Sequence, residues 1–158
     1  MLVRNVFEND FVGIVERSIE WGDLVIERDN IYHILCAHFR GTCFVAEDKG
    51  RIIGYLLGFC SQSRPGQAYM HLLHVDPQFR GHGVGQRLFS QFQTAVKAMD
   101  CVEIVAVSKP QNRVGMTFYT SMGLNPVAMN GMIEVDGVKA VRDYNGPGKH
   151  MVLWCKQL

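Results

Sequence analysis

The sequence predicts a mixed α/β domain: a mostly antiparallel central sheet flanked by helices, α+β by some schemes. Three observations carry that prediction. Two short β-rich stretches joined by a turn signal span residues 42–62. A single strand–helix–strand crossover follows, with glycines packed at its turn. The repeated βαβ units of a doubly wound dinucleotide fold are absent. With no internal repeat, linker or low-complexity tract, the 158 residues are expected to form one domain spanning 1–158.

The elements follow in order. "MLVRNVF" alternates weakly and opens the sheet. "DFVGIVERSIEWG" places Phe11, Ile14, Val15, Ser18 and Ile19 at helical spacing, and "NIYHILCAHF" repeats the pattern with Ile31, Ile34, Leu35 and His38. "TCFVAED" and "RIIGYLLGFCSQ" are β-rich and separated by Lys49-Gly50, a hairpin signal. "AYMHLLHVD" is a further strand that Pro77 ends. From Val84 the period becomes helical, with Val84, Leu88, Phe92, Ala95, Val96 and Met99 in one stripe. "CVEIVAVS" is nearly continuous in apolar residues, as in a strand buried on both faces. "NRVGMTFYTSMG" reads as a short helix ended by Gly123, "LNPVAM" as renewed β structure, residues 130–149 as a hairpin or long loop, and "HMVLWCKQL" as the last strand.

Composition narrows the functional classes. A net charge of +1 and 20% charged residues give no electrostatic case for nucleic acid or for an anionic membrane surface. The longest apolar run, Ile52 to Cys60, is far too short to span a bilayer. Five scattered cysteines (Cys36, Cys43, Cys60, Cys101 and Cys155) form no CxxC pair, which predicts buried thiols in a reducing compartment. No signal peptide is expected, and the chain reads as cytoplasmic. His33 and His38 lie five apart, wrong for HExxH, and no metal is expected.

The chemistry starts at "VDPQFRGHGVGQRL". Gly81, Gly83 and Gly85 stand at every second position where a strand turns into a helix. The first amides of that helix lack internal partners, and its dipole adds partial positive charge, so the turn suits an anion. The P-loop pattern is excluded because no Gly-Lys-Ser or Gly-Lys-Thr occurs. The dinucleotide pattern G-x-G-x-x-G fails too, since its last position falls on Gln86 or Leu88. A turn with no ligand remains the plain alternative.

The stretch "LHVDPQFRGHGVGQRL" resembles the signature of the GNAT superfamily of acyl-CoA-dependent N-acyltransferases, [QR]-x-x-G-x-[GA], with Arg80, Gly83 and Gly85 in its fixed positions. "SKPQNRVGMTFYTSMGL" is similar to the family's Asn-containing loop and the helix ending in Tyr-x-x-x-Gly-[FL]. Together these cover roughly Ala68 to Leu124. "DYNGPGKHMVLW" looks like the ending of a bacterial subgroup whose amine substrates are mostly undefined.

The resemblance implies that the strand before the glycine loop and the strand after the helix splay apart to form the acyl-CoA cleft. Pantetheine would pair with the backbone of Leu73, His74 and Val75 like an added strand. Arg80, Gly81, His82, Gly83, Val84, Gly85 and Gln86 would hold the pyrophosphate, His82 through its backbone. Asn112 would contact the pantetheine arm, and Arg80 and Arg113 would be within reach of a 3′-phosphate. Tyr119 matches the family's tyrosine near the sulfur and would be the general acid; a packed helix aromatic is the alternative. The family's glutamate base has no counterpart on either strand. His71 falls where some members carry a histidine, and its ordinary pKa suits a base; a hydrogen-bonded strand histidine without chemistry is the alternative. Strict alternation would put Tyr69, His71, Leu73 and Val75 on one face and His74 on the other.

The expected reaction is direct acetyl transfer from acetyl-CoA, as cosubstrate, to a primary amine of a small molecule or peptide. The competing reading is a non-catalytic acyl-CoA sensor, and a cysteine acyl intermediate would have Cys60 as its candidate. The resemblance builds the amine pocket from the first two helices and the C-terminal loop, where Glu20, Trp21, Asp23, Glu134, Asp136 and Asp143 would favour a cationic amine. Homodimers are common among similar proteins.

Overall fold

The computed structural model describes residues 1–22 and 30–158. Its strands are β1 (Leu2–Asn5), β2 (Phe44–Asp48), β3 (Arg51–Cys60), β4 (Gln67–Val75), β5 (Glu103–Ser108), β6 (Asn125–Pro126), β7 (Met132–Val135), β8 (Val138–Val141) and β9 (Val152–Gln157). The helices are α1 (Asp10–Glu20), α2 (His33–His38), α3 (Val84–Lys97) and α4 (Arg113–Ser121). Seven strands form one sheet in the order β1-β2-β3-β4-β5-β9-β6, while β7 and β8 pair as a separate hairpin. Every junction of the large sheet is antiparallel except β4–β5, which is parallel because α3 carries the chain back across it.

Lys49 and Gly50 both take positive φ, 49° and 77°, between the paired residues Asp48 and Arg51. This is the two-residue turn whose twist matches a hairpin, as the Lys-Gly pair predicts. One face of the sheet packs under α3 through Leu88, Phe92 and Val96, with Tyr119 of α4 in the same cluster. The other face packs under α1 and α2, around Ile14, Leu35, Tyr55 and Leu57. No helix among the described residues is long and apolar enough to cross a membrane.

Several expectations shift. The α3 stripe gains Phe89, which is buried, and loses Met99, which lies beyond the helix end and is exposed. The helix at "NIYHILCAHF" shrinks to six residues. Ile19, at the open end of α1, is exposed. In β5 only Ile104, Ala106 and Ser108 are fully buried, because α1 and α2 lie over β3 and leave the second face of β5 partly open. Residues 130–149 resolve the open choice in favour of a hairpin, β7–β8, followed by a loop.

Two features of β4 position the site. Its parallel pairing with β5 runs only from Gln67↔Glu103 to Met70↔Ala106, after which the strands part. Its pairing with β3 skips one residue: Leu57 faces Leu72 and Gly58 faces Met70, so His71 is the extra residue of a β-bulge.

Candidate functional site

The bulge overturns the strict alternation expected along β4. Met70 belongs to the α3 cluster and Leu72 to the α1 cluster, so the period resets at His71. Leu72 faces the α1 side, as does His71, whose ring stacks on Tyr32 at the start of α2, and Leu73 and Val75 pack on the α3 side. His74 faces the α1 side with Tyr55 and Trp21 (ring centroids 5.8 and 5.0 Å away). His71 therefore lies opposite Leu73 and Val75, and His74 shares its face, the reverse of the sequence expectation.

The backbone beyond the bulge is turned toward the gap. Asp76 donates its amide to the carbonyl of Ile53 at 3.0 Å. Alternation of bonded and unbonded pairs in an antiparallel ladder then directs His74 and Leu72 to β3, and the N–H and C=O groups of Leu73 and Val75 away from it. The Val75 carbonyl is already taken, by Nε of Arg80 at 3.1 Å. Arg80 also lies 3.5 Å from Nε2 of His74, so its side chain is folded onto the end of β4.

The glycine turn divides its labour. Gly81 and Gly83 hold φ near +80°, and a Cβ at Gly81 would meet nothing within 4 Å. Gly83 is the N-cap of α3 and offers no side chain to the first helical amides, leaving them for an external acceptor. Gly85 serves packing: a Cβ there would stand 3.0 Å from the Phe118 ring and 3.6 Å from Leu73.

Asn112 is the N-cap of α4, its Oδ1 accepting from the Gly115 amide at 2.8 Å. Arg113 donates to the Asp136 carbonyl on the β7–β8 hairpin.

Two cavities open on either side of the gap. The first, about 320 Å³, is lined by every cofactor residue expected from the sequence except His82, whose ring bonds the Arg80 carbonyl instead, and Arg113. The second, about 650 Å³, is lined by His71, Tyr69 and Tyr32, by the β5–α4 loop and by the C-terminal loop. Leu73, Asn112 and Tyr119 border both. Cys60 borders neither; its Sγ lies 3.4 Å from that of Cys101.

Tyr119 is buried edge-on against Trp154, with centroids 5.5 Å apart, and its hydroxyl has no hydrogen-bond partner among the described residues. Burial, with a smaller contribution from the Tyr69 phenol, pushes its pKa up to about 12. Nε2 of His71 lies 2.7 Å from the Asn30 carbonyl. A carbonyl only accepts, so this nitrogen carries the proton and the neutral ring keeps its lone pair on Nδ1. Burial holds the pKa of His71 below the usual histidine range, against the opposing effect of that hydrogen bond. Tyr32 and Tyr69 flank the ring at 5.5 and 6.2 Å.

The acidic amine pocket is not what the described residues build. Glu20 pairs with Arg17 and Arg51, and Glu134 and Asp136 sit on the β7–β8 hairpin outside the second cavity. Asp143 accepts from the Gly148 amide at 2.7 Å, its carboxylate engaged in shaping the C-terminal loop. Trp21 is stacked on Tyr55, and Asp23 falls outside the described residues. The loop does border the cavity as expected, but through Lys149 and His150. Those two residues and Lys109 were not expected there, whereas Tyr69 shares the face of His71 on the regular part of β4, as alternation predicts.

Comparisons with known proteins agree with this architecture. A family model described as Acetyltransferase (GNAT) family matches residues 5–124. An L-2,4-diaminobutyric acid acetyltransferase of Nocardia farcinica is 25% identical over 91 residues, 58% of this chain; the chain spans about half the length of that relative, 47%. Diaminobutyrate acetyltransferase from Paenibacillus lautus, solved with L-2,4-diaminobutyric acid and coenzyme A, superposes with a TM-score of 0.72 at 18% identity, covering 98% of this chain and 92% of that one. The ribosomal-protein-alanine N-acetyltransferase of Brucella melitensis gives 0.72 at 16% identity, with both chains fully covered.

Proposed function

Because the chain belongs to the GNAT acetyltransferase family, we propose that it transfers an acetyl group from acetyl-CoA to the primary amine of a small molecule, directly and within a ternary complex. One observation carries the reading: the gap between β4 and β5 is bordered by two cavities that share Leu73, Asn112 and Tyr119. A cosubstrate on one side and an acceptor on the other would meet there.

The first cavity suits coenzyme A. The uncapped amides of α3 would take the pyrophosphate, and open space at Gly81 lets a ligand come close to the backbone. The Leu73 N–H and C=O would pair with pantetheine, and Nδ2 of Asn112 stays available after its oxygen caps α4. When bound, acetyl-CoA supplies an acyl group activated as a thioester.

His71 would act as the base. An alkylamine is mostly protonated at neutral pH, with a pKa of about 10.4, so a proton must leave nitrogen before or during attack. A buried, neutral imidazole with Nδ1 unprotonated can accept it, directly or through water. Tyr119 keeps its proton at neutral pH and would donate a hydrogen bond to the departing sulfur. Full proton transfer from a phenol at about 12 to a thiolate of ordinary basicity, about 8.5, would run uphill by about 5 kcal/mol. The hydroxyl therefore stabilises charge more than it delivers a proton.

The test is thiol release from acetyl-CoA across an amine panel, with CoA binding followed separately by thermal shift. Turnover that falls in both His71→Ala and Tyr119→Phe is expected. Binding of acetyl-CoA with no turnover on any amine would favour the sensor reading.

A further inference from the structure

We infer that the acceptor is an amine carrying its own anionic group, a carboxylate or similar, held in the second cavity by Lys149 and its neighbours. This rests on the acetyl-transfer reading above and specifies its acceptor.

The described lining of that cavity contains no Asp or Glu, yet it contains Lys109, Lys149 and His150. The loop bearing the last two is built to present them. Asp143 takes φ +52° and ties the loop through its carboxylate to the Gly148 amide. The Asp143 amide donates to Nδ1 of His150 at 3.0 Å, and the Asn145 amide to the Lys149 carbonyl at 3.1 Å. With Nδ1 accepting, the neutral His150 ring carries its proton on Nε2 and is a donor there too. Nothing among the described residues forms an ion pair with the Lys149 ammonium. The Lys149 ammonium and a ring donor bordering a volume of about 650 Å³ whose described lining holds no carboxylate suit an anion and disfavour a second positive charge.

His71 borders the same cavity from β4 and would meet the reacting nitrogen. An acceptor spanning the cavity would thus have its amine at His71 and its acid at Lys149. Such a two-point grip would also set which of two amines reacts, when a substrate carries more than one.

The test uses matched acceptors that differ only in the acid: L-2,4-diaminobutyric acid against 1,3-diaminopropane, and β-alanine against ethylamine. Turnover is read as thiol release from acetyl-CoA with the full chain. We expect kcat/KM to favour the acid member of a pair by about tenfold or more, the scale of one good charge contact. The preference should collapse toward unity in Lys149→Met and invert in Lys149→Glu, with thermal shifts showing both variants folded. Turnover with equal rates within each pair, or a preference untouched by both variants, overturns the inference while leaving acetyl transfer standing. Binding of acetyl-CoA with no turnover on any of the four and on none of a wider amine panel overturns both.

Discussion

Replacing Tyr119 by phenylalanine separates chemistry from packing at one atom. The ring's edge contact with Trp154, at 5.5 Å, is retained, so the core loses no apolar burial. The hydroxyl has no hydrogen-bond partner among the described residues, and its removal orphans no donor or acceptor in them. Stability should therefore change by no more than about 0.5 kcal/mol, which for a chain of this length is about 1–2 °C in Tm. The rate should respond differently. A donor aimed at charge that develops only in the transition state contributes about 10²–10³ in kcat, or roughly 2.7–4 kcal/mol. The KM for acetyl-CoA should move far less, because the glycine turn and the Leu73 backbone are untouched. Steady-state kinetics beside a calorimetric scan decide the matter. A variant with full kcat and a Tm lowered by several degrees would reduce Tyr119 to a packed aromatic and refute the reasoning.

Other outcomes follow from the same geometry. His71 has its pKa held down by burial, so it is neutral above that value and protonates as the pH falls through it; kcat/KM should fall on an acid limb below about 6.5. His71→Gln should lower the plateau and abolish the limb, and a limb that survives would assign it elsewhere. Ser108→Ala should destabilise by about 1–3 kcal/mol, because the buried indole N–H of Trp154 loses its acceptor at 2.9 Å; an unchanged urea midpoint would mean another group takes over. Gly58→Ala should cost about 1–3 kcal/mol or more, since its Cβ would stand 2.7 Å from the Phe92 ring and 2.7 Å from the Tyr69 carbonyl. A variant as stable as the parent would show that β3 and β4 can part without loss.

Much of this architecture was legible because it rests on local rules. The Lys49-Gly50 turn needs two positive φ values. The α3 stripe needs only a 3.6 period, and the uncapped start of α3 follows from Gly83. The placement of Leu73, Arg80, Asn112 and Tyr119 around one gap was implied by the family resemblance. The bulge at His71 was not legible, because alternation assumes a regular ladder, and the skipped residue shows only against β3. The charge of the second cavity was missed for a related reason. Asp143 and Lys149 lie six residues apart on one loop, and only its folding decides that the carboxylate bonds a backbone amide while the ammonium borders the cavity. Gly85 was expected at a phosphate and borders that cavity, and its missing Cβ also accommodates Phe118, a contact with no signature in local sequence.

The extra residue in β4 carries one further consequence. It lets a single strand offer backbone to one side of the sheet and an imidazole to the other within three positions. Excising His71 or Leu72 would close the ladder and restore regular pairing, a change that favours the sheet. The later residues of β4 would keep their partners on β3 and their faces, so the loss would fall on the imidazole and on the surroundings of the bulge. Point substitutions along this strand should be tolerated unevenly, whereas excision of the bulge residue should leave a folded, inert protein. Here the length of a strand, as much as its composition, is under functional constraint.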